Sequence, residues 1–378
     1  MSYALTTIWY ERQRFLPAVL AVAFSALLIS VQSGILIGLL ALVSVPIDHS
    51  TGHVWAGYPG VRSVDLGRPI PERWAGKLAA DPAVDRVEPC MLGFSQWTQI
   101  SKNRTPATPE VITVVGTRLH PGSIAAIDAI RSSPELMAKL AEPGAVAVDD
   151  EEMYRLGITG IGDQADVLGK RVRVVGTVHG YKSLGGPYVF CSVDTAKSLL
   201  KDPGDGVTYL VATCRDPAEA KGVADRLNRY PQVTAFTADE FSWRSRIHWL
   251  FTTKSGVAVG FTGMLGLLVG AVVTSQTLYA ATAASKREFA TMRAMGIPTW
   301  RLQATVLVQS FWVGAFGIAL ALPLSVGIAA VAEMFGTRVE LHPLVLIAAA
   351  VITLAMAMLA GFAALRSFQG VDPAHNIR

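Results

Sequence analysis

The chain has 378 residues, of which 51% are hydrophobic and only 16% are charged. A soluble protein usually carries about a quarter charged residues, so this composition argues against an ordinary soluble protein and favours a membrane protein. The formal net charge of +4 does not indicate a nucleic-acid-binding protein, because the cations cluster at the ends of apolar runs.

Four long stretches contain no Asp, Glu, Lys or Arg, and each exceeds the roughly 20 apolar residues that cross a bilayer as a helix. They predict four transmembrane helices, at residues 16–45, 253–283, 303–332 and 343–365. The first run differs from a cleaved signal peptide, because it is about twice as long as the apolar core of such peptides and lacks a small-residue cleavage site. We therefore expect a retained span.

Lys and Arg residues flank the predicted spans asymmetrically. They precede the first span and fill the loop between the second and third, whereas the loop between the third and fourth holds only Arg338, offset by two glutamates. The positive-inside rule then predicts cytoplasmic termini. The predicted segments between the spans are a cytoplasmic N-terminal segment 1–15, a periplasmic domain 46–250, a cytoplasmic loop 285–302, a short periplasmic loop 333–342 and a cytoplasmic tail 366–378.

The segment 46–250 has the composition of a globular domain, in which Pro and Gly separate short apolar runs. These runs predict strands at 110–119, 144–150, 170–181, 187–193 and 206–214. Helices are expected at 133–141 and at 216–230, the latter leading into a strand at 232–238 in a βαβ arrangement. The predicted fold is an α-helical membrane protein with one plus three transmembrane helices and a large α+β extracytoplasmic domain, in one or two lobes, between the first and second.

No motif in the sequence supports catalysis. There is no G-x-x-x-x-G-K-[ST] phosphate loop, no H-E-x-x-H zinc motif and no G-x-S-x-G nucleophile motif. His49 and His53, close to Asp48, are better explained as a polar loop at the membrane exit than as metal ligands, so neither a metal site nor a catalytic residue is predicted. Cys90, Cys191 and Cys214 are expected to be buried thiols, with one disulfide of undetermined pairing left open.

The loop between the second and third predicted spans reads SKREFATMRAMGIPTWRLQ. Its residues Lys286–Ile297 are compatible with a short helix that Gly296 and Pro298 would end. One face of that helix would carry an apolar stripe of Phe289, Met292, Met295 and Gly296.

Two interpretations of this loop stay open on physical grounds. The cations could only anchor the loop to anionic headgroups, at about 1 kcal/mol per charge. Alternatively, the helix docks a cytoplasmic partner through its apolar stripe. Anchoring does not account for Glu288, because an anionic surface disfavours a carboxylate at that position.

The segment KREFATMRAMGIPTWRLQATVLVQS resembles the first cytoplasmic loop of the FtsX/MacB-type permeases of ABC transporters. In that family an E-[FYI]-A-x-[LM]-[RK]-A-[MLI]-G segment follows the second span and forms the coupling helix to the ATPase. The positions that this resemblance assigns to ATPase coupling are Glu288, Phe289, Met292, Arg293, Met295 and Gly296. The tail GVDPAHNIR and the arrangement of spans are also similar to the family.

Within the family, the DevC-like branch is the most similar. The N-terminal residues Glu11, Arg14, Phe15 and Ala18 match its opening motif, and WAGYPGVRSVDLGRPIP resembles its external domain. The external segment is shorter than the two full lobes of the largest MacB-like members. Docking to an outer-membrane channel is therefore left open.

The resemblance implies a non-catalytic permease that works as a homodimer with a separate cytoplasmic ABC ATPase, which binds the ATP and Mg. It also implies a periplasmic membrane-fusion adaptor. In the implied mechanism, called mechanotransmission, the coupling helices pass ATP-driven movement through the first two spans to the external domain. We expect no buried Asp, Glu, Lys or Arg within the spans, which agrees with this mechanism because a polar translocation path usually needs such residues.

Small and polar residues within the spans predict close helix contacts. Gln32, with neighbouring serines, is expected at a helix interface because such side chains hydrogen-bond across helices. The second span carries four glycines that favour close approach, within the subunit or between two subunits: Gly260, Gly263, Gly266 and Gly270.

Three functions are compatible with the sequence. The leading hypothesis is the membrane subunit of an ABC exporter of a lipid-like or amphipathic molecule. The alternative is a non-transporting FtsX-like signal transmitter that activates an extracytoplasmic hydrolase. A third possibility, a stand-alone membrane receptor, predicts no ATPase partner.

Overall fold

A computed structural model of the chain describes residues 10, 12–100, 108–201, 204–252, 254–284, 291, 295–296, 298–334, 339 and 341–366. Leu39–Gly256 form one compact unit, here called the domain unit. The described residues before Leu39 and after Gly256 form a second, called the span unit. This division follows the composition, since the span unit holds the long apolar runs.

The described residues contain helices of very different length. In chain order the α-helices are α1 (Arg12–Ala41), α2 (Val45–Asp48), α3 (Trp74–Ala79), α4 (Asp128–Arg131), α5 (Pro134–Leu140), α6 (Met153–Leu156), α7 (Val193–Leu199), α8 (Ala220–Leu227), α9 (Ala238–Thr252), α10 (Lys254–Ala284), α11 (Thr299–Met334) and α12 (Pro343–Arg366). Four of them, α1, α10, α11 and α12, are long and apolar enough to cross a membrane. This agrees with the four predicted spans.

The first of these helices is shorter than the uncharged run that predicted it. Helix α1 ends at Ala41, the chain turns, and α2 starts at Val45. Pro46 lies in the first turn of α2, where proline is tolerated, whereas it would disrupt a helix interior. The absence of charge therefore extends beyond the helix itself.

Side chains of the span unit pack in a small apolar cluster. Its buried members come from α1, α11 and α12: Phe15, Ala18, Val22, Val313, Ala357 and Ala360. Alanine and valine dominate the cluster, and such small side chains allow helices to approach closely.

The domain unit is built on a nine-stranded sheet with a separate two-stranded ribbon. The strands in chain order are β1 (Val54–Gly57), β2 (Ile70–Pro71), β3 (Val84–Gln99), β4 (Glu110–Thr117), β5 (Ala145–Asp149), β6 (Gln164–Val167), β7 (Lys170–Val178), β8 (Tyr188–Ser192), β9 (Gly206–Val207), β10 (Tyr209–Cys214) and β11 (Thr234–Thr237). The sheet order is β11-β1-β10-β3-β4-β8-β5-β7-β6, and β6 also pairs with β3. That last pairing closes the strands from β3 to β6 into a ring.

Strand β3 makes the ring possible because it is 16 residues long. Its first half pairs with β10, and its last three residues, Trp97 to Gln99, pair with β6. Strands β10, β1 and β11 therefore extend the wall of the ring on one side. Leu39–Gly256 form a single compact unit around this sheet, rather than two lobes.

The predicted strand–helix–strand unit is present but split. Strand β1 lies between β10 and β11 and runs antiparallel to both, so these two are parallel without being neighbours. Asp216 caps the intervening helical segment by accepting a hydrogen bond from the Ala218 amide at 2.9 Å. The segment packs through an apolar face whose members are all buried: Ala220, Val223, Ala224 and Leu227.

The sheet separates two apolar clusters. Alternate residues of one strand enter different clusters, as the two-residue period of a strand requires. Met91, for example, belongs to one cluster, and its neighbours Cys90 and Leu92 belong to the other. All three cysteines are buried free thiols, so the disulfide left open by the sequence is not formed.

Candidate functional site

The predicted ATPase-coupling residues lie in the loop between α10 and α11. Glu288, Phe289, Met292 and Arg293 fall outside the described residues. The end of the loop is described: the Met295 amide donates to the Thr291 carbonyl at 3.1 Å, the i to i−4 bond of an α-helical turn. Gly296 follows with a φ of +86°, the left-handed conformation with which helices commonly end. The Met295 side chain is 70% exposed, as a docking residue requires.

Two of the four predicted glycines of α10 face α1. A Cβ added at Gly270 would lie 3.1 Å from the Ser25 Cβ, and one at Gly266 would lie 3.7 Å from the Gln32 Cγ. Gly260 and Gly263 lie in the same helix. Both contacts lie within one subunit, and the role of these glycines in a dimer stays a prediction.

Further close contacts in the span unit involve residues not predicted from the sequence. A Cβ at Gly317 of α11 would lie 2.6 Å from Val22, and one at Gly361 of α12 would lie 2.1 Å from the Ser310 hydroxyl oxygen. Gly314 of α11 faces Leu354 of α12 instead, so glycine spacing along α11 does not by itself indicate which helix each glycine contacts.

The chain enters the domain unit through α2 and leaves it through α9, and these two helices are bonded to each other. Arg246 of α9 donates from Nε to the Ser44 hydroxyl at 2.8 Å and from Nη2 to the Asp48 carboxylate at 2.6 Å. The Ser44 hydroxyl in turn donates to Asp48 at 2.6 Å. We call Ser44, Asp48 and Arg246 the root triad.

Helix α9 also binds the segment 61–65. Arg244 donates to the Val61 carbonyl at 3.0 Å, the Ser245 hydroxyl accepts from the Val64 amide at 3.0 Å, and the Trp249 indole donates to the Asp65 carboxylate at 3.2 Å. Asp65 is buried, and such a carboxylate requires hydrogen-bond partners. These contacts attach α9 to the segment between β1 and β2.

Asp150, Glu151 and His179 form a group that could hold a metal ion. Their geometry favours an ion-pair network instead, because opposite nitrogens of the imidazole face the two carboxylates. His179 Nδ1 is 2.9 Å from Asp150, and Nε2 is 3.8 Å from Glu151, which also pairs with Lys182. The Asp150 carboxylate, and to a smaller extent that of Glu151, raises the pKa of His179.

Ser123, Glu88 and His120 form a second polar group. The buried Glu88 carboxylate accepts from the Ser123 hydroxyl at 2.9 Å and contacts His120 Nε2 at 2.9 Å. A hydrolytic triad needs the imidazole between the hydroxyl and the carboxylate, so that it can take the hydroxyl proton. Here the carboxylate lies in the middle, and the group is a structural network rather than a catalytic one.

The domain unit also has a cleft of about 770 Å³, formed where β4 and β8 end. Two cations on its wall, Arg118 and Lys197, share the carboxylate of Glu72 at 3.8 and 3.6 Å. Ser192 and Thr195 also line the cleft. Polar and apolar groups share its wall, and the Ser192 hydroxyl bonds Thr195 rather than an imidazole, so no nucleophile–base pair is evident among its described lining residues.

Comparison with known proteins gives two family matches. A sequence profile described as FtsX-like permease C-terminal matches residues 260–373, and one described as MacB-like periplasmic core domain matches residues 15–230. The second covers more than half of the chain. No curated protein matches the sequence significantly.

Two solved structures are similar to part of the chain. One is the periplasmic region of MacB from Actinobacillus actinomycetemcomitans, at 11% identity and a TM-score of 0.34, covering 52% of this chain and 94% of that one. The other is the extracellular domain of the noncanonic ABC-type transporter YknZ from Gram-positive bacteria, at 12% identity and a TM-score of 0.33, covering 48% and 98%.

Four long apolar helices and an α+β domain inserted after the first of them define the class, a multi-pass membrane protein. With the profile matches, the chain belongs to the FtsX/MacB-type permease family. Permeases of this family are membrane subunits of ABC transporters and generally work with a cytoplasmic ABC ATPase. Membership also indicates an inner-membrane location and a non-catalytic role.

Proposed function

We propose that this chain is the permease subunit of an ABC exporter that works by mechanotransmission. A separate ATPase binds ATP and Mg, and its movement passes from the 285–302 loop through α1 and α10 to the domain unit. One observation carries the proposal: apart from Lys254 at the start of the second, the four predicted spans contain no Asp, Glu, Lys or Arg, whereas a polar path through a membrane usually needs ionisable residues. Such helices are suited to transmitting movement to the domain unit, rather than to lining a path for a polar substrate.

The proposed substrate is lipid-like or amphipathic, and it would be expelled from the periplasmic side. The proposed assembly is a homodimer of permeases with two ATPase copies and a periplasmic membrane-fusion adaptor, and docking to an outer-membrane channel stays open. We place the chain in the DevC-like branch on its N-terminal motif and on residues 55–71. Both termini are proposed to be cytoplasmic, because cations flank the spans on that side.

The experiment that tests the function is purification of the native complex through a tag on the permease, followed by identification of the co-purifying proteins. An ABC ATPase together with an adaptor supports the exporter. A cell-wall hydrolase in place of the adaptor supports the FtsX-like signal transmitter. Absence of any ATPase would contradict both and favour a stand-alone receptor.

Orientation is tested separately with a protease added to spheroplasts. We expect cleavage within residues 100–110, in the predicted periplasmic domain, and protection of residues 286–301. Cleavage within 286–301 in sealed spheroplasts would invert the proposed topology.

A further inference from the structure

We infer that Arg246 is a positioning residue for the transmission of movement, because it joins the two points at which the chain enters and leaves the domain unit. This inference rests on the proposed function. Arg246 and Asp48 are 198 residues apart in sequence but bonded at 2.6 Å. A displacement of α2 can therefore be transmitted to α9, or the reverse, through this bond and without a change in the sheet.

The geometry of the root triad suits a rigid joint. Each of the three side chains bonds both of the others, so the hydrogen bonds form a closed circuit. The planar guanidinium reaches two acceptors at once, which a lysine ammonium on its flexible stem does less well. Ser44 is fully buried, and the side chains of Arg246 and Asp48 are only 28% and 30% exposed. Limited solvent access makes such charge-assisted bonds stronger than an exposed ion pair.

The contacts around the triad show what it connects. On one side, α9 binds segment 61–65 through Arg244, Ser245 and Trp249. On the other side, residues just after α2 bind the 120–131 region, since the Thr51 amide donates to the Ile124 carbonyl and the Asp128 amide to the His49 carbonyl. The root triad is the polar link between these two contact sets. Val45 and Ile47 of α2 and Phe241 of α9 also share one apolar cluster, to which the triad adds directional bonds between the two helices.

The test uses the native permease–ATPase complex and hydrogen exchange, with MgATP plus orthovanadate as the probe. In the unaltered complex we expect the probe to change exchange in peptides covering 61–66 and 120–131. In the Arg246→Gln complex, the probe should no longer change hydrogen exchange in at least one of these two peptides. The ATPase should still co-purify, and the probe should still change exchange at residues 295–302. Arg171→Gln, which alters an exposed arginine of β7, is the matched control and should respond fully.

Rescue separates positioning from simple stability. The reciprocal exchange Arg246→Asp with Asp48→Arg restores an ion pair and should recover much of the lost response, whereas Asp48→Asn alone should reduce it. If Arg246→Gln fails to fold, Asp48→Asn decides the question, because it keeps the shape of the side chain. A folded Arg246→Gln or Asp48→Asn complex with an unchanged response in both peptides would overturn the inference.

Failure of the inference is distinguishable from failure of the proposed function. If the unaltered complex contains no ATPase, or shows no probe-dependent change in the domain unit, the proposed function is wrong. If the unaltered complex responds and the root-triad variants respond equally, only the role of Arg246 is wrong.

Discussion

The hydroxyl of Ser25 in α1 lies 3.1 Å from the carbonyl oxygen of Gly270 in α10, 245 residues later. The same hydroxyl is 2.9 Å from the Ala21 carbonyl, so its single proton is shared between a bond within α1 and a bond to α10. Glycine at position 270 favours this approach, since a Cβ there would lie 3.1 Å from the Ser25 Cβ, closer than an ordinary van der Waals contact. The first two spans are thus in contact near their middles.

A matched pair of substitutions tests this contact. Gly266→Ala should stabilise the protein by up to about 1 kcal/mol, because alanine favours a helix and its Cβ meets Gln32 at an ordinary 3.7 Å. Gly270→Ala should be less stable than Gly266→Ala by about 1 kcal/mol or more, because Ser25 has to move. Unfolding by denaturing detergent measures both. Equal stability of the two variants would contradict the packing described for Gly270.

The turn between β6 and β7 contains a leucine in an unfavourable conformation. Leu168 has a φ of +50° and Gly169 a φ of +79°, between the paired residues Val167 and Lys170. Two-residue turns with positive φ at both positions favour Asn-Gly. We expect Leu168→Asn to raise the unfolding midpoint of the purified chain by about 2–4 °C, and Leu168→Val to lower it. A higher unfolding midpoint for Leu168→Val than for Leu168→Asn would contradict the positive φ described for residue 168.

The cysteines provide a chemical test of the domain core. Burial, with a smaller contribution from Glu88, raises the pKa of Cys90 to about 12, and burial also raises the pKa of Cys191 and of Cys214. Because the thiolate is the reactive form, Cys90 and Cys191 should resist maleimide in the folded chain at neutral pH. Denaturation without reductant should expose all three thiols, measured as three adducts by mass spectrometry. A single adduct would indicate a disulfide.

The ion-pair network of His179 predicts a pH dependence of stability. The neighbouring carboxylates, Asp150 first, raise the pKa of His179 above its ordinary value of 6.5. The stability that this contributes is therefore fully present below pH 6.5 and is lost as the pH rises through the folded-state pKa. The unaltered chain should have a higher unfolding midpoint than the His179→Gln variant at low pH, and this difference should decrease as the pH rises through that pKa. A difference that stays constant with pH, or grows as the pH rises, would show that His179 is not charged in the folded state.

Local patterns predicted much of the fold. Charge-free runs predicted the four apolar helices, and the pattern of residues 216–230 predicted the helical segment that contains α8. The predicted strand 206–214 is divided in two, however. Thr208 interrupts it, because its hydroxyl bonds the amide and carbonyl of Leu92 at 3.0 and 3.1 Å, so β9 and β10 pair with different strands.

The root triad and the Ser25–Gly270 contact were not predictable in the same way. Each joins residues about 200 or more positions apart, and neither Ser44 nor Arg246 belongs to a recognisable motif. The root triad forms where β1, which follows α2, pairs with β11, which precedes α9, and no local periodicity encodes that pairing. For Glu288 and Phe289, the basis of the prediction remains the family resemblance.

The most direct test of the proposed function is therefore at the coupling loop. We expect Glu288→Lys with Phe289→Ala, in a chain that inserts normally, to lose co-purification with the ATPase and to abolish permease-dependent ATP turnover. Arg301→Gln, outside the predicted docking helix, is the control and should retain both. Unchanged ATPase co-purification and unchanged ATP turnover in the double variant would contradict the account.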